Sequence, residues 1–501
     1  MVASQSRLAS EVGADVLRTG GNAVDAAIAT SFALGAVEPW MSGIGGGGYM
    51  VIRRPGDVCP NVVEFGMRAP RGLDVGDYPI VDGKANDLFP WPSVRDDANI
   101  FGARAVAIPG QVAGMALAHK TFGSKPWAGL LGGAIEAARS GLTVDWYCQL
   151  MLASAANDLS KFPASRAAFL DENGFPKSSA WTALNQNHCD LSGLATTLET
   201  IARDGAAAFY CGPLAEAIVS DLRAEGGRHC AADFETYAAT MRDADVCHYR
   251  GHKVFGTPDF TAGPTLKRVL ELLGPWQSQG TVPDAKAYAA YDSALRQASC
   301  ERLNSMGDRA HEPAPSCTTH FNVVDANGTM VSVTQTLLSV FGSRLMLPET
   351  GILLNNGIMW FDPEPGKPNS IGPDKRCLSN MCPTLIEKTD GTRISLGAAG
   401  GRKILPAVAQ LVSLMTDYDM DLEQAFHAPR IDTSLADVTI VDAAMEEHTQ
   451  QELAEVVESL IQAPRTVFPY NFACPSAVSR QNGLNVGATE IASPWSDVAI
   501  G

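Results

Sequence analysis

The placement of strand-like segments along this 501-residue chain constrains its fold more than any other feature. Apolar runs typical of strands occur early, at residues 49–52 and 62–65, and alternating runs return after Thr318. The stretch at residues 109–224 is rich in alanine and leucine and favours helices. Because strands flank helices at both ends of the sequence, the pattern predicts one interwoven α/β body rather than a row of separate domains.

Two helices are predicted at the start of the chain. Leu8, Val12 and Val16 recur at helical spacing, so a helix is expected over residues 6–18. After two glycines, Asn22 stands at a typical N-cap position, and the apolar run that follows predicts a mostly buried helix ending before Pro39.

Residues after Thr318 favour a hairpin. The alternating segments 320–325 and 330–336 are joined by Ala326-Asn327-Gly328, a sequence typical of tight turns. A further strand is predicted at 393–396 and a further helix at 404–418.

Composition excludes several classes of protein. The chain is 46% hydrophobic and has a formal net charge of −17, which argues against nucleic acid as a partner, since nucleic-acid binders carry basic surfaces. No apolar run reaches the roughly 18 residues of a membrane span. The 11 scattered cysteines favour reduced thiols. The first residues lack the order of a signal peptide, which predicts a cytoplasmic location, and an incomplete N-terminus would leave that prediction open.

The run Gly43-Ile-Gly-Gly-Gly-Gly48 matches the G-x-G-x-x-G pattern of dinucleotide-binding loops. That motif needs a strand before it and a helix after it, whereas here a helix precedes and a strand follows. A turn with positive φ and close backbone approach is therefore the favoured interpretation, and no cofactor is expected.

His248 and His252 have the spacing of a metal-binding helix, but Gly251 lies between them and no glutamate follows the first histidine. They are interpreted as surface or strand residues, and no metal site is predicted.

Thr318-Thr319-His320 contains a candidate nucleophile. A threonine hydroxyl needs a base beside it, and an N-terminal threonine has one in its own α-amine. An internal threonine gains that amine only if the chain is cut before it. Residues 311–317 resemble a loop that a cut could reach.

Motifs along nearly the whole chain resemble the gamma-glutamyltransferase family of N-terminal-nucleophile (Ntn) hydrolases. They occur in the family's order, at residues 20–27, 41–48, 106–114, 233–237, 249–251, 318–325, 351–356, 375–383 and 397–401.

The resemblance implies an αββα sandwich built from two intertwined subunits of one precursor. The implied cut lies between Cys317 and Thr318, giving a large subunit of residues 1–317 and a small subunit of residues 318–501 that begins with the nucleophile. The expected substrate is a small amide, and further assembly of these subunit pairs stays open.

The resemblance also implies roles for individual residues. Thr336 matches the threonine that hydrogen-bonds the nucleophile. Gly400 and Gly401 match the pair whose N–H groups form the oxyanion hole, although they could also be a plain turn. Ser379 and Asn380 match a serine pair that contacts the acyl group, or they simply build a turn.

Two positions depart from the glutathione-cleaving pattern. Gly66 stands where those members have a carboxylate-binding arginine, and Arg68 lies two residues on, roughly 7 Å away along a strand. Trp360 stands where they have an aspartate for the substrate ammonium, which removes a charge partner.

The Trp360 pattern resembles the subgroup of cephalosporin-acylase-like and small-amide hydrolases, which includes oxamate amidohydrolase. The departures predict an amide hydrolase or acyltransferase whose acyl group ends in a carboxylate and need not carry an α-amine. The alternatives are a true gamma-glutamyl transpeptidase or glutathione hydrolase, and a non-catalytic relative that acts as a binding protein.

Overall fold

The computed structural model describes residues 1–84, 91–179, 182, 184, 186–305, 317–435 and 437–501. The strands of this described part are β1 (Val2–Ser4), β2 (Gly47–Arg53), β3 (Asn61–Phe65), β4 (Ile80–Lys84), β5 (Pro92–Val94), β6 (Leu142–Thr143), β7 (His188–Cys189), β8 (Thr240–Asp243), β9 (Asp245–Tyr249), β10 (His252–Gly256), β11 (Cys317–Val324), β12 (Met330–Leu338), β13 (Thr384–Glu387), β14 (Arg393–Ala399), β15 (Ile431–Leu435), β16 (Val438–Asp442), β17 (Leu460–Ala463), β18 (Cys474–Gln481), β19 (Leu484–Thr489) and β20 (Asp497–Ala499).

The helices fall mostly between the early and late strands. In the described residues they are α1 (Arg7–Arg18), α2 (Ala23–Val37), α3 (Gln111–Phe122), α4 (Trp127–Leu130), α5 (Gly132–Ser140), α6 (Trp146–Leu159), α7 (Pro163–Phe169), α8 (Ser192–Asp204), α9 (Pro213–Ala224), α10 (Ala231–Glu235), α11 (Gly263–Leu273), α12 (Ala285–Ser305), α13 (Ile404–Asp417), α14 (Leu422–His427) and α15 (Glu447–Ala454).

Two large antiparallel sheets organise the molecule. The first has the strand order β20-β1-β11-β12-β2-β3-β8, and the second has the order β19-β18-β14-β13-β10-β9. The first sheet therefore combines strands that precede Thr318 with strands that follow it.

The four hydrophobic clusters show how the layers stack. One cluster joins helices α1–α10 to the outer face of the first sheet, and a second joins α11–α15 to the outer face of the second sheet. A smaller cluster lies between the two sheets, and includes Val51, Val324 and Val478. The order helix, sheet, sheet, helix confirms the αββα sandwich that the resemblance implies.

The predicted start of α2 is confirmed by its capping geometry. The Asn22 side chain accepts hydrogen bonds from the N–H groups of Val24 and Asp25, and the Asp25 carboxylate accepts one from the N–H of Asn22. This reciprocal box satisfies N–H groups that a helix start leaves unpaired. The helix is buried along almost its whole length, as its apolar sequence predicts.

The predicted hairpin after Thr318 is confirmed as β11 and β12. Gly328 has a φ of 88°, which suits glycine, and the N–H of Asp325 donates to the Thr329 carbonyl at 3.1 Å. His248 and His252 lie on the paired strands β9 and β10, as interpreted from the sequence. No helix among the described residues is long and apolar enough to cross a membrane.

The interpretation of the glycine run was right about close approach and wrong about φ. No glycine from 43 to 48 has a positive φ. A Cβ on Gly46 would lie 2.1 Å from the Thr336 carbonyl oxygen, and one on Gly48 would lie 2.3 Å from the Thr334 oxygen. The glycines therefore let β2 approach β12, rather than making a left-handed turn.

Candidate active site

Thr318 lies near the start of β11, on the face of the first sheet that meets the second sheet. Along β11 the side chains alternate, so Thr318, His320 and Asn322 share one face. The Asn322 amide contacts the second sheet, since it donates to the Ser476 carbonyl at 2.8 Å. Thr318 is only 1% exposed. A hydroxyl in this position is shielded from bulk water between the sheets.

An irregularity in the ladder stands opposite Thr318. Cys317 pairs with Leu338 and Thr319 pairs with Gln335, so β12 has one extra residue at this point. Bulges of this kind re-aim side chains and recur beside active sites. Leu338 has a φ of 87°, which is rare for a residue other than glycine. Its N–H donates to the Thr336 hydroxyl at 2.7 Å, so the bulge orients Thr336 on the strand next to Thr318.

The second sheet brings Gly400 and Gly401 to the same end of the sandwich. The Ser395 hydroxyl of β14 donates to the Asn322 amide oxygen at 2.6 Å. Gly397 lies two residues after Ser395, and His320 lies two residues before Asn322. A Cβ on Gly397 would lie 2.3 Å from the His320 ring. Continuing this register leads to the end of β14 on one sheet and to Thr318 on the other.

Both glycines after β14 have a backbone conformation that favours glycine. Gly400 has a φ of 129° and Gly401 has a φ of 62°. A Cβ on Gly400 would lie 3.0 Å from the Ala473 Cα. Side chains are therefore excluded, and the backbone N–H groups are the chemistry this turn can offer.

Tyr470 supports this turn and was missed by the sequence analysis. Its hydroxyl donates to the Ala399 carbonyl at 3.2 Å and accepts from the N–H of Cys474 at the same distance. Nothing in the local sequence marks Tyr470, because it lies about 70 residues after the strand that it holds.

A pocket of about 110 Å³ opens on the inner face of the first sheet, over β2 and β3. Its walls include Gly66, Arg68, Tyr49, Glu64 and Arg376. Tyr49 pairs with Thr334 on the neighbouring strand β12, two residues from Thr336, so the pocket and the Thr318 region belong to the same face. The register therefore places the predicted anchor region on the same face as Thr318, with β12 between β2 and β11.

Tyr49 lies where a side chain at position 66 would begin. A Cβ on Gly66 would lie 2.9 Å from the Tyr49 hydroxyl oxygen. The Tyr237 hydroxyl donates to the Gly66 carbonyl at 2.7 Å. Tyr49 thus takes the space where an arginine side chain at position 66 would begin, and a longer side chain fits there only if Tyr49 moves.

Arg68 lines the pocket but is already paired. Its Nε lies 2.9 Å from a carboxylate oxygen of Asp374 and also donates to the Asp374 carbonyl at 3.0 Å. A second arginine was missed: Arg376 stacks on the Phe260 ring at 4.4 Å and approaches Glu64 at 3.4 Å. The motif at 375–383 contained this residue, but spacing alone gave no sign that it faces Arg68.

Ser379 and Asn380 lie three and four residues after Arg376. The Ser379 hydroxyl accepts from the N–H of Met381 at 3.0 Å, and the Ser379 carbonyl accepts from the buried guanidinium of Arg302 at 2.7 Å. Asn380 is partly exposed. The serine hydroxyl thus builds a local turn, while Asn380 remains accessible at its surface.

Trp360 is 2% exposed and lies in an apolar cluster with Tyr49, Met67 and Leu338. Its indole N–H has no hydrogen-bond partner among the described residues. This cluster joins the pocket to the bulge opposite Thr318. Trp360 therefore lies in the apolar packing behind Tyr49 and Met67, and it is not among the residues that line the pocket.

Burial sets the pKa of His320, which shares the inner face of β11 with Thr318. His320 is fully buried between Thr334, at 2.8 Å, and Asn322, at 3.0 Å. Desolvation lowers the pKa of His320 to about 3, so this ring stays neutral at physiological pH. Cys317 lies in β11 by its backbone, and its side chain falls outside the described residues, as do residues 306–316.

Comparison with known proteins decides the family. The model of the family described as gamma-glutamyltranspeptidase matches residues 9–317 and 306–490. The chain belongs to the gamma-glutamyltranspeptidase family. It is an enzyme of the amidohydrolase and transpeptidase type found in that family.

Similar proteins include both acylases and glutathione hydrolases. The chain is 32% identical over 503 residues to the acylase ACY 1 proenzyme of Pseudomonas sp. (strain SE83), covering 93% of this chain and 88% of that one. It is 30% identical over 484 residues to the glutathione hydrolase proenzyme of Escherichia coli (strain K12), covering 86% and 80%.

The fold is similar to a solved acylase. The crystal structure of cephalosporin acylase from Bacillus halodurans matches with a TM-score of 0.85 over 100% of this chain and 95% of that chain, at 23% identity. This likeness supports the fold, and the sequence relatives support the family.

Proposed function

We propose that this protein is a self-cleaving amide hydrolase that uses Thr318 as its nucleophile. The observation that carries the proposal is the position of Thr318, buried between the sheets, beside Thr336 and at the same end as Gly400 and Gly401. Nucleophile, orienting hydroxyl and exposed backbone donors are the parts that acyl transfer needs.

Self-cleavage comes first in this mechanism. The Thr318 Oγ attacks the carbonyl carbon of Cys317, the C–N bond breaks, and the hydroxyl proton ends on the Thr318 nitrogen. Water then hydrolyses the resulting ester, leaving a carboxylate on Cys317 and a free hydroxyl and α-amine on Thr318. The cut divides the chain into residues 1–317 and 318–501.

Turnover then uses the new α-amine as its base. The amine takes the Thr318 hydroxyl proton as Oγ attacks the substrate carbonyl, and later gives that proton to the departing amine. The N–H groups of Gly400 and Gly401 stabilise the oxyanion, and water or another amine removes the acyl group from Thr318.

The pocket supports an acyl group that ends in a carboxylate. Arg376 and Arg68 line its wall, where they pair with the carboxylates of Glu64 and Asp374, and a substrate carboxylate would join these ion pairs. The Tyr49 hydroxyl adds a polar group at Gly66. Trp360 offers no carboxylate for a substrate ammonium. We therefore expect glutaryl amides to be better substrates than gamma-glutamyl amides.

Intact mass and N-terminal sequencing of the purified protein test the nucleophile. We expect two pieces under denaturing conditions, the smaller one beginning Thr-Thr-His-Phe, and an uncut Thr318→Ala variant. A folded wild-type chain that stays uncut would refute the mechanism and favour the binding-protein alternative.

Paired anilides then test the substrate class, since gamma-glutamyl and glutaryl anilides differ only in the α-amine. A strong preference for the gamma-glutamyl compound, with acceleration by an added dipeptide acceptor, would favour a gamma-glutamyl transpeptidase instead.

A further inference from the structure

The carboxyl of Glu38 is buried beside the start of β11, and the mechanism above does not use it. Glu38 follows the last residue of α2 and is 5% exposed. Its Oε2 accepts a hydrogen bond from the Thr319 hydroxyl at 2.9 Å. Thr319 is the residue after the proposed nucleophile, so this bond connects α2 to the start of the proposed small subunit.

The backbone that follows Glu38 is hydrogen-bonded to β12. The N–H of Met41 donates to the Glu38 carbonyl at 3.0 Å, and the Met41 carbonyl in turn accepts from the N–H of Leu337 at 3.0 Å. Leu337 belongs to the irregular stretch of β12 opposite Thr318. The carboxyl is therefore held by rigid structure on the side of β11 that faces α2.

Burial of this carboxyl is energetically unfavourable. Desolvation raises the pKa of Glu38 to about 8, while the bond from Thr319 opposes the rise. Of the titratable groups in the described residues, the Cys474 thiol on β18 is also close enough to interact with Glu38. A glutamine would accept the same hydrogen bond without burying an ionisable group. The property that the glutamate adds is therefore its ability to ionise.

The proposed reaction creates a charge for which such a carboxyl is suited. After cleavage, an α-amine stands at Thr318, one residue from the Glu38–Thr319 bond. When this amine takes the hydroxyl proton, it becomes an ammonium in a site that excludes water. An unpaired buried ammonium is costly, and it lowers the pKa of a neighbouring carboxyl. Glu38, which holds a proton in the uncut chain, therefore releases that proton to solvent once the ammonium is present, and the resulting carboxylate offsets the cost of the charge.

We propose that Glu38 is a positioning residue that holds the start of the small subunit through Thr319 and balances the charge of the Thr318 ammonium during acyl transfer. The inference rests on the proposed function. The proton itself passes from Oγ to the amine and on to the leaving group, and Glu38 changes the stability of the charged amine without receiving that proton.

Glu38→Gln tests the charge while keeping the hydrogen bond. We expect kcat to fall about tenfold and the KM to change less than twofold, because Glu38 does not line the acyl pocket. A carboxylate raises the pKa of a neighbouring amine, so its removal should move the acid limb of the kcat profile to lower pH by about one unit. The melting temperature should stay equal or rise, since a buried ionisable group is lost.

Glu38→Asp and Thr319→Val separate charge from position. The aspartate variant keeps a carboxylate and should recover part of kcat, whereas Thr319→Val keeps Glu38 but loses its anchor and should lower kcat less than Glu38→Gln does. Asp25→Asn is the matched control, because Asp25 is a buried carboxylate at the other end of α2. It should change the melting temperature without moving the pH profile.

Several outcomes would overturn the inference. A Glu38→Gln variant with wild-type kcat and pH profile would do so, as would a change in KM alone, or a fall in melting temperature that accounts for the lost activity. A folded Glu38→Gln variant that cleaves itself slowly or not at all would support a role at the Thr318 centre. If wild type stays uncut, or if Thr318→Ala is still cut, the proposed function fails first, and the two failures are distinguishable by mass.

Discussion

At Gly400, backbone conformation and space both exclude a side chain. We expect Gly400→Ala to lower kcat by roughly 10²–10³-fold, because its φ of 129° and the contact with Ala473 force the turn to move and misplace an oxyanion donor. Gly391→Ala is the matched control: Gly391 has a φ of 89° but has nothing within 4 Å of an added Cβ. Equal kcat losses in both variants, measured on correctly folded and cleaved protein, would contradict an oxyanion role.

Two arginines line the acyl pocket, but they differ in their existing partners. Arg68 is held at 2.9 Å by Asp374, while Arg376 stacks on Phe260 and lies 3.4 Å from Glu64. We expect Arg376→Gln to raise the KM for a glutaryl anilide about tenfold or more, and Arg68→Gln to raise it less, because the ion pair of Arg68 with Asp374, at 2.9 Å, is shorter than that of Arg376 with Glu64, at 3.4 Å.

Steady-state kinetics with glutaryl and uncharged acyl anilides check this ranking. The uncharged acyl anilide is the control, because the loss of an arginine should affect its KM little. A larger effect of Arg68→Gln than of Arg376→Gln would reverse the assignment and restore Arg68 as the main anchor.

At the scale of elements, the glycine run is explained by the strand that it touches. Gly46→Ala would place a Cβ 2.1 Å from the Thr336 carbonyl oxygen, so β2 must move away from β12. We expect a loss of roughly 1–3 kcal/mol in the free energy of unfolding, together with slower self-cleavage. Gly43→Ala is the control, since its nearest neighbour would be an ordinary 3.8 Å contact. Denaturant unfolding of both variants checks the difference, and equal stability would show that β2 is not constrained at this point.

Much of the local structure could be predicted because its causes are local. Asn22 predicts the start of α2, because its capping partner Asp25 is only three residues away. Asn327-Gly328 likewise predicts the turn between β11 and β12. The cause of the glycine run was only half predicted, because the atom that excludes a side chain belongs to Thr336, 290 residues away from Gly46.

The site was harder to predict than the elements. The resemblance pointed to the Thr318, Thr336 and Gly400 positions, and the structure brings these to one end of the sandwich. Arg376, Tyr470 and Glu38 were not found, since each acts through a contact made by the packing of distant segments. Arg68 was named as a possible anchor because it lies two residues after Gly66, and its role stays a prediction; the sequence could not reveal Asp374 beside it.

At the scale of the whole molecule, the first sheet explains why a cut need not separate the pieces. β1, β2, β3 and β8 precede Thr318, while β11, β12 and β20 follow it, and the two sets alternate across one ladder. Separation of the pieces would require breaking the pairing of β11 with β1 and of β12 with β2, along with the core on both faces. This interleaving favours a fold that forms as one unit before the proposed cut.

Three groups buried in different parts of this unit predict how its stability depends on pH. Burial lowers the pKa of His320 to about 3 and of His229 to about 4, from an ordinary 6.5, and raises that of Glu38 to about 8, from 4.5. Below pH 6.5 the two histidines are protonated in the unfolded chain but stay neutral in the folded one until their lower pKa values are reached. Acid therefore destabilises the fold. Between pH 4.5 and 8 the folded Glu38 keeps a proton that the unfolded chain releases, so rising pH destabilises it.

Of these three groups, the histidines dominate on the acid side. Towards pH 4.5, two histidines outweigh one glutamate, so the free energy of unfolding should fall by about 1.4 kcal/mol per pH unit. Urea unfolding of the Thr318→Ala variant between pH 4.5 and 8 measures this curve without interference from cleavage. His320→Gln should flatten the acid side, and Glu38→Gln should steepen it, because the two histidines are then unopposed. A His320→Gln curve parallel to its parent below pH 6.5 would show that this buried ring is not neutral in the fold.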